Sequence, residues 1–502
     1  MTTLRALGFG IWGLGFGLWA LGIGMSAQTG IDRGLRENDP PRAPRGPGGD
    51  IIRGAADEGP FLRGSLIVKF RPGTPLDAQR IMLAQVDASA PQRVSYADFE
   101  IVALDAAADP EAVARQLETQ PDVEYAQARY RVHPQFTPND PLYGRQWNYP
   151  AIDMERAWDI NPGATSEVVV AVLDSGIAYR PAVVRYNAAF QFRLTPNGPI
   201  FPALGVVDVP FAAAPDLAPL ERFVSPRDFI WNTDLPLDLD GHGTHVTGTI
   251  GQATNNSVGG AGVAFNVRIM PVKVIGSIWD QIFGAPNRGT DDVVARGVRY
   301  AADNGAKVLN MSIGRTGPPA PAVQEAIAYA ISRGAFVSIA AGNSFQNGNP
   351  VERLAEIGGL YEGAISVAAI GRDRQRAFYS TTGPYVEITA PGGNLRQGQE
   401  AGILQQTFDF DMVETYTRGP QAYRAPRFDA FAYEFFQGTS MAAPHVSGFA
   451  ALLVQQGITP PAALEAVMKR YATDLGATGR DNEYGVGLIN PRASLRGMGL
   501  VK

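Results

Sequence analysis

Hydrophobic and polar positions divide the chain into an apolar start, a polar segment and two regions with regular periodicity. Residues 6–25 are apolar and rich in glycine, whereas residues 28–63 are polar and contain many prolines and glycines. From residue 65 onward, short apolar runs alternate with segments whose apolar positions recur at helical spacing. The pattern predicts a flexible linker at residues 28–63, followed by two folded regions.

The first folded region, residues 64–135, mixes predicted strands with predicted helices. Asp109 followed by Pro110 is a typical helix start, because aspartate caps free N–H groups and proline suits the first helical turn. The order predicts a small α+β domain with a β-α-β-β-α-β-like succession. Its strand-like runs cover residues 65–70, 99–104 and 123–132, and its helices are predicted at residues 75–85 and 109–117.

The second folded region, residues 136–502, alternates apolar runs with amphipathic segments. This alternation predicts an α/β fold with a mostly parallel sheet flanked by helices. Ligands of such sheets bind beyond the carboxyl ends of the strands. The clearest strands are predicted at residues 168–173, 267–274, 306–313 and 335–340, and the clearest helices at residues 290–304 and 322–332.

Composition removes several classes of protein. The 43 Lys and Arg residues against 49 Asp and Glu give a net charge of -6, so nothing indicates a nucleic acid partner. The chain has no cysteine, which excludes disulfides and thiolate chemistry. His-Glu-x-x-His does not occur, so zinc-dependent hydrolysis loses its usual ligand set.

Residues 1–27 are similar to a secretory signal peptide. A single basic residue, Arg5, precedes the apolar run, and Ala27 is a small residue suited to a cleavage site. An uncleaved anchor is the alternative, because the apolar run approaches the ~20 residues that span a bilayer. Met25 is also larger than the residue usual at that position. We expect a secreted protein, extracellular or periplasmic.

Three motifs, each present once, carry the candidate chemistry. They are Asp-Ser-Gly at 174–176, Gly-His-Gly-Thr-His-Val at 241–246 and Gly-Thr-Ser-Met-Ala-Ala-Pro-His at 438–445. Hydrolysis by a serine needs a hydroxyl, an imidazole that takes its proton and a carboxylate that orients the imidazole. Each motif alone has a structural explanation, such as a turn or a helix cap. Their occurrence together favours the catalytic interpretation.

The motifs and their order resemble those of the subtilisin-like serine peptidases. The resemblance covers about residues 138–491, and residues 65–132 are similar in pattern to the inhibitory propeptide of that family; an unrelated adaptor domain is the alternative. The resemblance to subtilisin-like peptidases implies a three-layer core. In that core Asp174 orients His242, His242 is the general base and Ser440 is the nucleophile.

The same resemblance assigns further site residues. Asn343 follows a predicted strand and, in this family, donates a side-chain N–H to the oxyanion beside the Ser440 backbone N–H. Because the proposed walls of the primary specificity pocket carry no charge, they favour a bulky apolar substrate side chain. The wall residues are Ser312, Ile313, Gly314, Ala340, Ala341 and Gly342.

No cofactor is expected for the chemistry, and the metal question stays open. Residues 254–260 resemble a calcium-binding loop of the family, yet Val183 stands roughly where a carboxylate ligand is usual. Structural calcium is therefore an open possibility. The stretches 179–238 and 395–434 are longer than a minimal family member needs, and their role cannot be read from the sequence.

The resulting prediction is a secreted serine endopeptidase that acts through an acyl-enzyme and is made as a self-processing zymogen. Its expected partners are protein or peptide substrates and its own propeptide, an intramolecular inhibitor, and we expect a monomer. Two alternatives stay open: a protease restricted to a processing role, and a catalytically silent binding protein on the same fold.

Overall fold

The computed structural model describes residues 61–130, 136–193, 197–198, 200–286, 288–413 and 424–498. The predicted signal peptide and all but the last three residues of the predicted linker lie outside these ranges. Among the described residues, no helix is long and apolar enough to cross a membrane.

The N-terminal region forms a four-stranded sheet with two helices, in the predicted β-α-β-β-α-β order. The sheet order is β2-β3-β1-β4, and its pairs are antiparallel. Leu66, Leu83 and Leu117 are among the residues of its own hydrophobic core. The elements are β1 (Phe61–Phe70), α1 (Leu76–Ala84), β2 (Ser89–Arg93), β3 (Glu100–Ala103), α2 (Pro110–Glu118) and β4 (Val123–Tyr130).

The first strand begins earlier than the sequence indicates. Phe61 pairs with Tyr130 across β1 and β4, and the two rings form a T-shaped, edge-to-face pair with centroids 6.0 Å apart. Residues 61–63 therefore belong to the sheet and not to the linker that was predicted to extend to residue 63.

The second region contains the remaining elements of the described chain. They are α3 (Asn148–Ala151), α4 (Met154–Trp158), β5 (Val169–Asp174), β6 (Ala182–Ala188), β7 (Gly205–Phe211), β8 (Arg227–Asp228), α5 (His242–Gly251), β9 (Arg268–Lys273), α6 (Ile278–Ile282), α7 (Asp291–Asp303), β10 (Val308–Met311), α8 (Pro321–Ser332), β11 (Phe336–Ala340), α9 (Arg353–Gly358), β12 (Ala364–Ile370), β13 (Ile388–Pro391), β14 (Ile403–Phe408), α10 (Phe410–Val413), β15 (Phe431–Phe436), α11 (Thr439–Gln455), α12 (Pro461–Arg470) and α13 (Pro491–Met498).

A seven-stranded sheet lies at the centre of this region, and within the described residues all its pairings are parallel, in the order β13-β12-β11-β10-β5-β9-β8. Alternate residues of β5 face opposite sides: Val170 and Val172 join one core with α5 and α11, whereas Ala171 and Leu173 join another with α7 and α8. The predicted α/β architecture with helices on both faces is confirmed.

The two long stretches form hairpins that pack on this core. In the β14–β15 hairpin, the carbonyl oxygens of Ile403 and Glu434 each lie 3.0 Å from Nε2 of His245 on α5. In the β6–β7 hairpin, Tyr186 stacks on Phe283 with ring centroids 4.3 Å apart. The described parts of both stretches are thus anchored to the body of the domain.

Candidate active site

A buried carboxylate and an imidazole meet at the carboxyl end of β5, an interior strand of the sheet. Asp174 ends the fully buried strand β5 and has no exposed surface. His242 is the first residue of α5, and its Nδ1 lies 2.7 Å from Asp174 Oδ1. Because Nδ1 is engaged, the imidazole presents Nε2 to a reacting group.

Two neighbouring residues hold this pair in place. The Ser175 hydroxyl donates to Asp238 Oδ1 at 2.9 Å and accepts from the Gly243 N–H at 2.9 Å. Asp238 also accepts from the Thr244 N–H and hydroxyl, at 3.0 and 2.7 Å. These bonds tie the end of β5 to the first turn of α5. The sequence alone assigns no role to Asp238, although an acid four residues before a histidine at a helix start is a detectable signal.

Nearby carboxylates favour the charged form of His242. Burial lowers the pKa of the imidazole, but the charge and hydrogen bond of Asp174 outweigh that effect. Together with Asp240 and Asp238, Asp174 raises the pKa of His242 to about 9. A proton taken by His242 is therefore held strongly at this site.

Ser440 is the second residue of α11, whose side chains are buried along most of its length. Its hydroxyl donates to the Ser312 carbonyl oxygen at 3.2 Å, and the Ser312 hydroxyl donates to the Ser440 carbonyl oxygen at 2.8 Å. Among the described residues the Ser440 hydroxyl has no hydrogen bond to His242. Such bonds often tighten only when substrate binds.

Asn343 and the start of α11 form one arrangement of N–H donors. Asn343 Oδ1 accepts from the Thr439 N–H at 2.9 Å and from the Thr439 hydroxyl at 3.0 Å. A Cβ built on Gly438 would lie 3.5 Å from Asn343 Nδ2 and 3.6 Å from the Ser440 nitrogen. Asn343 Nδ2 and the Ser440 nitrogen therefore border the same small volume. Two groups that donate to one substrate oxygen must lie in this way.

The two predicted pocket walls leave the sheet side by side. Met311 of β10 and Ile339 of β11 are register partners, so residues 312–314 and 340–342 continue from neighbouring parallel strands. The strand predicted at residues 306–313 ends at Met311, because Ser312 turns to bind Ser440. Outside the ladders, the described residues make no backbone hydrogen bond to Ile313 or Gly314, which leaves that segment open to an extended ligand.

The loop at residues 254–260, which resembles a calcium-binding loop, has carboxylates beside it that the sequence did not indicate. Val183 lies exposed in the β6–β7 hairpin, whereas Asp140 and Asp216 reach residues 254–260. Asp140 accepts from the Asn255 and Asn256 N–H groups at 2.7 and 3.1 Å.

Asp216 is likewise surrounded by protein donors. Its oxygens accept from Asn256 Nδ2 at 3.0 Å, Gln252 Nε2 at 2.7 Å and the Tyr433 hydroxyl at 3.1 Å. Burial raises the pKa of this carboxyl to about 6. Calcium prefers oxygen ligands, whereas here the carboxylates face N–H and O–H donors. The described residues also contain no cluster of three His, Asp or Glu suited to a metal. The arrangement does not fit a calcium ion.

Comparison with known proteins agrees with the fold. Residues 165–487 match the Subtilase family, and residues 50–128 match the fervidolysin N-terminal prodomain. The chain belongs to the subtilase family and is a subtilisin-like serine endopeptidase with a prodomain.

Several individual relatives span most of the chain. The thermophilic serine proteinase of Bacillus sp. (strain AK1) is 29% identical over 433 residues, 86% of this chain and 87% of that protein. Thermitase of Thermoactinomyces vulgaris is 30% identical over 345 residues, 68% of this chain and 94% of that protein. A solved protease of Pseudoalteromonas arctica has a TM-score of 0.54 at 28% identity, covering 72% of this chain and all of that one.

Proposed function

We propose that this endopeptidase cleaves peptide bonds through Asp174, His242 and Ser440, that it is secreted, and that it matures by cutting its own precursor. The observation that carries the catalytic assignment is the 2.7 Å contact between His242 Nδ1 and the buried Asp174 carboxylate. The direct test is release of peptides from a denatured protein by the purified enzyme. Secretion rests on residues 1–27, and detection of the protein outside the expressing cell tests it.

In the proposed reaction, His242 Nε2 takes the Ser440 proton as the hydroxyl oxygen attacks the scissile carbonyl carbon. Asp174 stabilises the imidazolium that forms, and the imidazolium then protonates the leaving amine as the C–N bond breaks. Water, deprotonated by His242, cleaves the acyl-enzyme and regenerates the Ser440 hydroxyl. Besides groups of the chain and the substrate, these steps consume one water, whose proton passes through His242 to the Ser440 oxygen as the acyl C–O bond breaks.

The oxyanion of the tetrahedral intermediate is assigned to the volume beside Gly438. Replacement of Asn343 by alanine removes one of its two donors and is expected to lower kcat by roughly 10²–10³ with little change in KM. Steady-state kinetics on a peptide substrate check this. A rise in KM at constant kcat would instead make Asn343 a substrate contact. Gln346→Ala, in the same loop, is the control and should keep kcat.

The prodomain is assigned the role of an inhibitor of its own catalytic domain. Residues 61–135, produced separately because the sheet begins at Phe61, are expected to inhibit the mature enzyme at micromolar concentration. The module directly precedes the catalytic domain in the chain, so its end is a product of the proposed self-cleavage and can bind the cleft as a product does. A Leu66→Asp version, with a charge in the module's core, should not inhibit. Full activity in the presence of the intact module would make it an adaptor.

A further inference from the structure

A buried carboxylate lies directly against one predicted wall of the specificity pocket. Glu352 has no exposed surface. A Cβ built on Gly342 would lie 2.2 Å from Glu352 Cγ and 2.8 Å from Oε1. The Glu352 side chain therefore occupies the space that any side chain at position 342 would need.

The residue after Glu352 is hydrogen-bonded to the chain that follows the opposite wall. Residues 312–314 lead into Arg315, whose carbonyl oxygen accepts a 2.8 Å hydrogen bond from the N–H of Arg353. The Glu352 side chain thus contacts Gly342 at the end of one wall. The next residue, Arg353, bonds Arg315, which follows the other wall. Position 352 is therefore linked to the ends of both walls, directly at Gly342 and through Arg353 at Arg315.

The Glu352 carboxylate has no charged partner among the described residues. Both oxygens are buried without a hydrogen bond of normal geometry among the described residues. The Ser344 hydroxyl lies near enough to lower the carboxyl pKa somewhat, but burial dominates and raises the pKa to about 7. Buried carboxylates are normally paired or fully hydrogen-bonded, so this one needs an explanation.

The two arginines joined by the backbone hydrogen bond beside Glu352 are engaged with other groups. The Arg315 guanidinium binds both oxygens of Asp291, at 2.8 and 2.6 Å. Arg353 donates to the Gly317 carbonyl oxygen at 2.6 Å and to Glu356 at 2.8 Å. Neither side chain is bonded to Glu352, whose carboxylate is closed off from solvent. A basic side chain that enters between the walls and displaces the atoms covering the carboxylate would supply the positive charge that it lacks.

We propose that Glu352 forms the floor of the primary specificity pocket and selects substrates with lysine or arginine before the scissile bond. The inference rests on the function proposed above and replaces the sequence-based expectation of an apolar preference. The uncharged wall residues accommodate the aliphatic part of a long basic side chain, and the carboxylate meets its charged end.

The test uses peptides that differ only in the residue before the scissile bond: lysine, arginine, phenylalanine and norleucine, which resembles lysine without its amine. Assays are run above about pH 8, where the carboxylate is ionised. We expect kcat/KM for lysine to exceed that for norleucine by about 10²-fold, because the charge would otherwise stay buried and unpaired.

Variants then assign the preference to this residue. Glu352→Gln should lower the lysine-to-norleucine ratio to about 1, since it removes the charge with little change in shape. Glu352→Asp should retain part of the preference. Glu356→Gln, which alters a nearby carboxylate already paired with Arg353, should retain all of it.

The outcomes separate this inference from the proposed function. Hydrolysis by the wild-type enzyme with norleucine or phenylalanine equal to or better than lysine would overturn it, whether or not the variants fold. A basic preference that persists in Glu352→Gln would also overturn it. No hydrolysis of any peptide would overturn the proposed function as well.

Discussion

Replacement of Ser440 by alanine is expected to abolish turnover, with a loss on the order of 10⁶ in kcat, and to leave the precursor uncut. The other hydroxyl at the start of α11, that of Thr439, is engaged by Asn343 Oδ1 and the Gly342 N–H. The Ser440 hydroxyl donates to the Ser312 carbonyl oxygen, and the Ser312 hydroxyl donates to the Ser440 carbonyl oxygen. The size of the purified precursor measures the loss of processing, and steady-state kinetics on the Ser440→Ala protein, after another peptidase has removed the prodomain and has itself been removed, measure the loss of turnover.

The precursor experiment needs a low protein concentration and no other peptidase. Ser332→Ala, on the exposed end of α8, is the matched control and should mature like the parent. Normal self-processing of the Ser440→Ala protein under these conditions would contradict the assignment of the nucleophile.

Replacement of Asp174 by asparagine should lower kcat by about 10⁴. An asparagine can hold the ring in the wrong tautomer, and it supplies no charge to the imidazolium. The pH profile should change as well. Because His242 acts as a base only when neutral, kcat/KM of the parent should rise with pH through a pKa above the ordinary value of about 6.5.

Without the Asp174 charge, burial still lowers the pKa of His242, so the acidic limb of the variant should move to lower pH. Asp240→Asn is the matched control: Asp240 contributes charge, and within the described part of the chain its carboxylate accepts a hydrogen bond from the His242 backbone N–H alone, at 3.3 Å. Its acidic limb should move slightly, with kcat within about tenfold of the parent. Equal losses in the two variants would show that charge, and not orientation of the ring, dominates.

The parts that could be predicted from the sequence are those with strong local signals. β5 is a continuous apolar run buried on both sides, so the position of Asp174 at its end follows from the pattern. α11 is likewise apolar along most of its length and begins beside the predicted nucleophile. The N-terminal module was recognised from its alternation of strands and helices, although β2 contains Pro91 and little apolar sequence.

The contacts that could not be predicted join segments far apart in the chain. Asp216, which follows the β6–β7 hairpin in the chain, accepts a hydrogen bond from Asn256 of the loop at residues 254–260, whereas Val183 lies exposed within that hairpin. Glu352 follows an irregular segment after Asn343, and its contact with Gly342 depends on how that segment folds back. No periodicity of apolar residues in the sequence predicts that this segment folds back onto Gly342. The unpaired state of the carboxylate becomes evident only once its neighbours are placed.

The central claim, that Ser440 is the nucleophile activated by His242, is tested most directly by locating the residue that a fluorophosphonate modifies. Mass spectrometry of the digested, inactivated enzyme should find one phosphonyl group per chain, on Ser440, and none in a His242→Ala variant treated for the same time. A phosphonyl group on any other residue, or full activity after complete modification of Ser440, would contradict the claim.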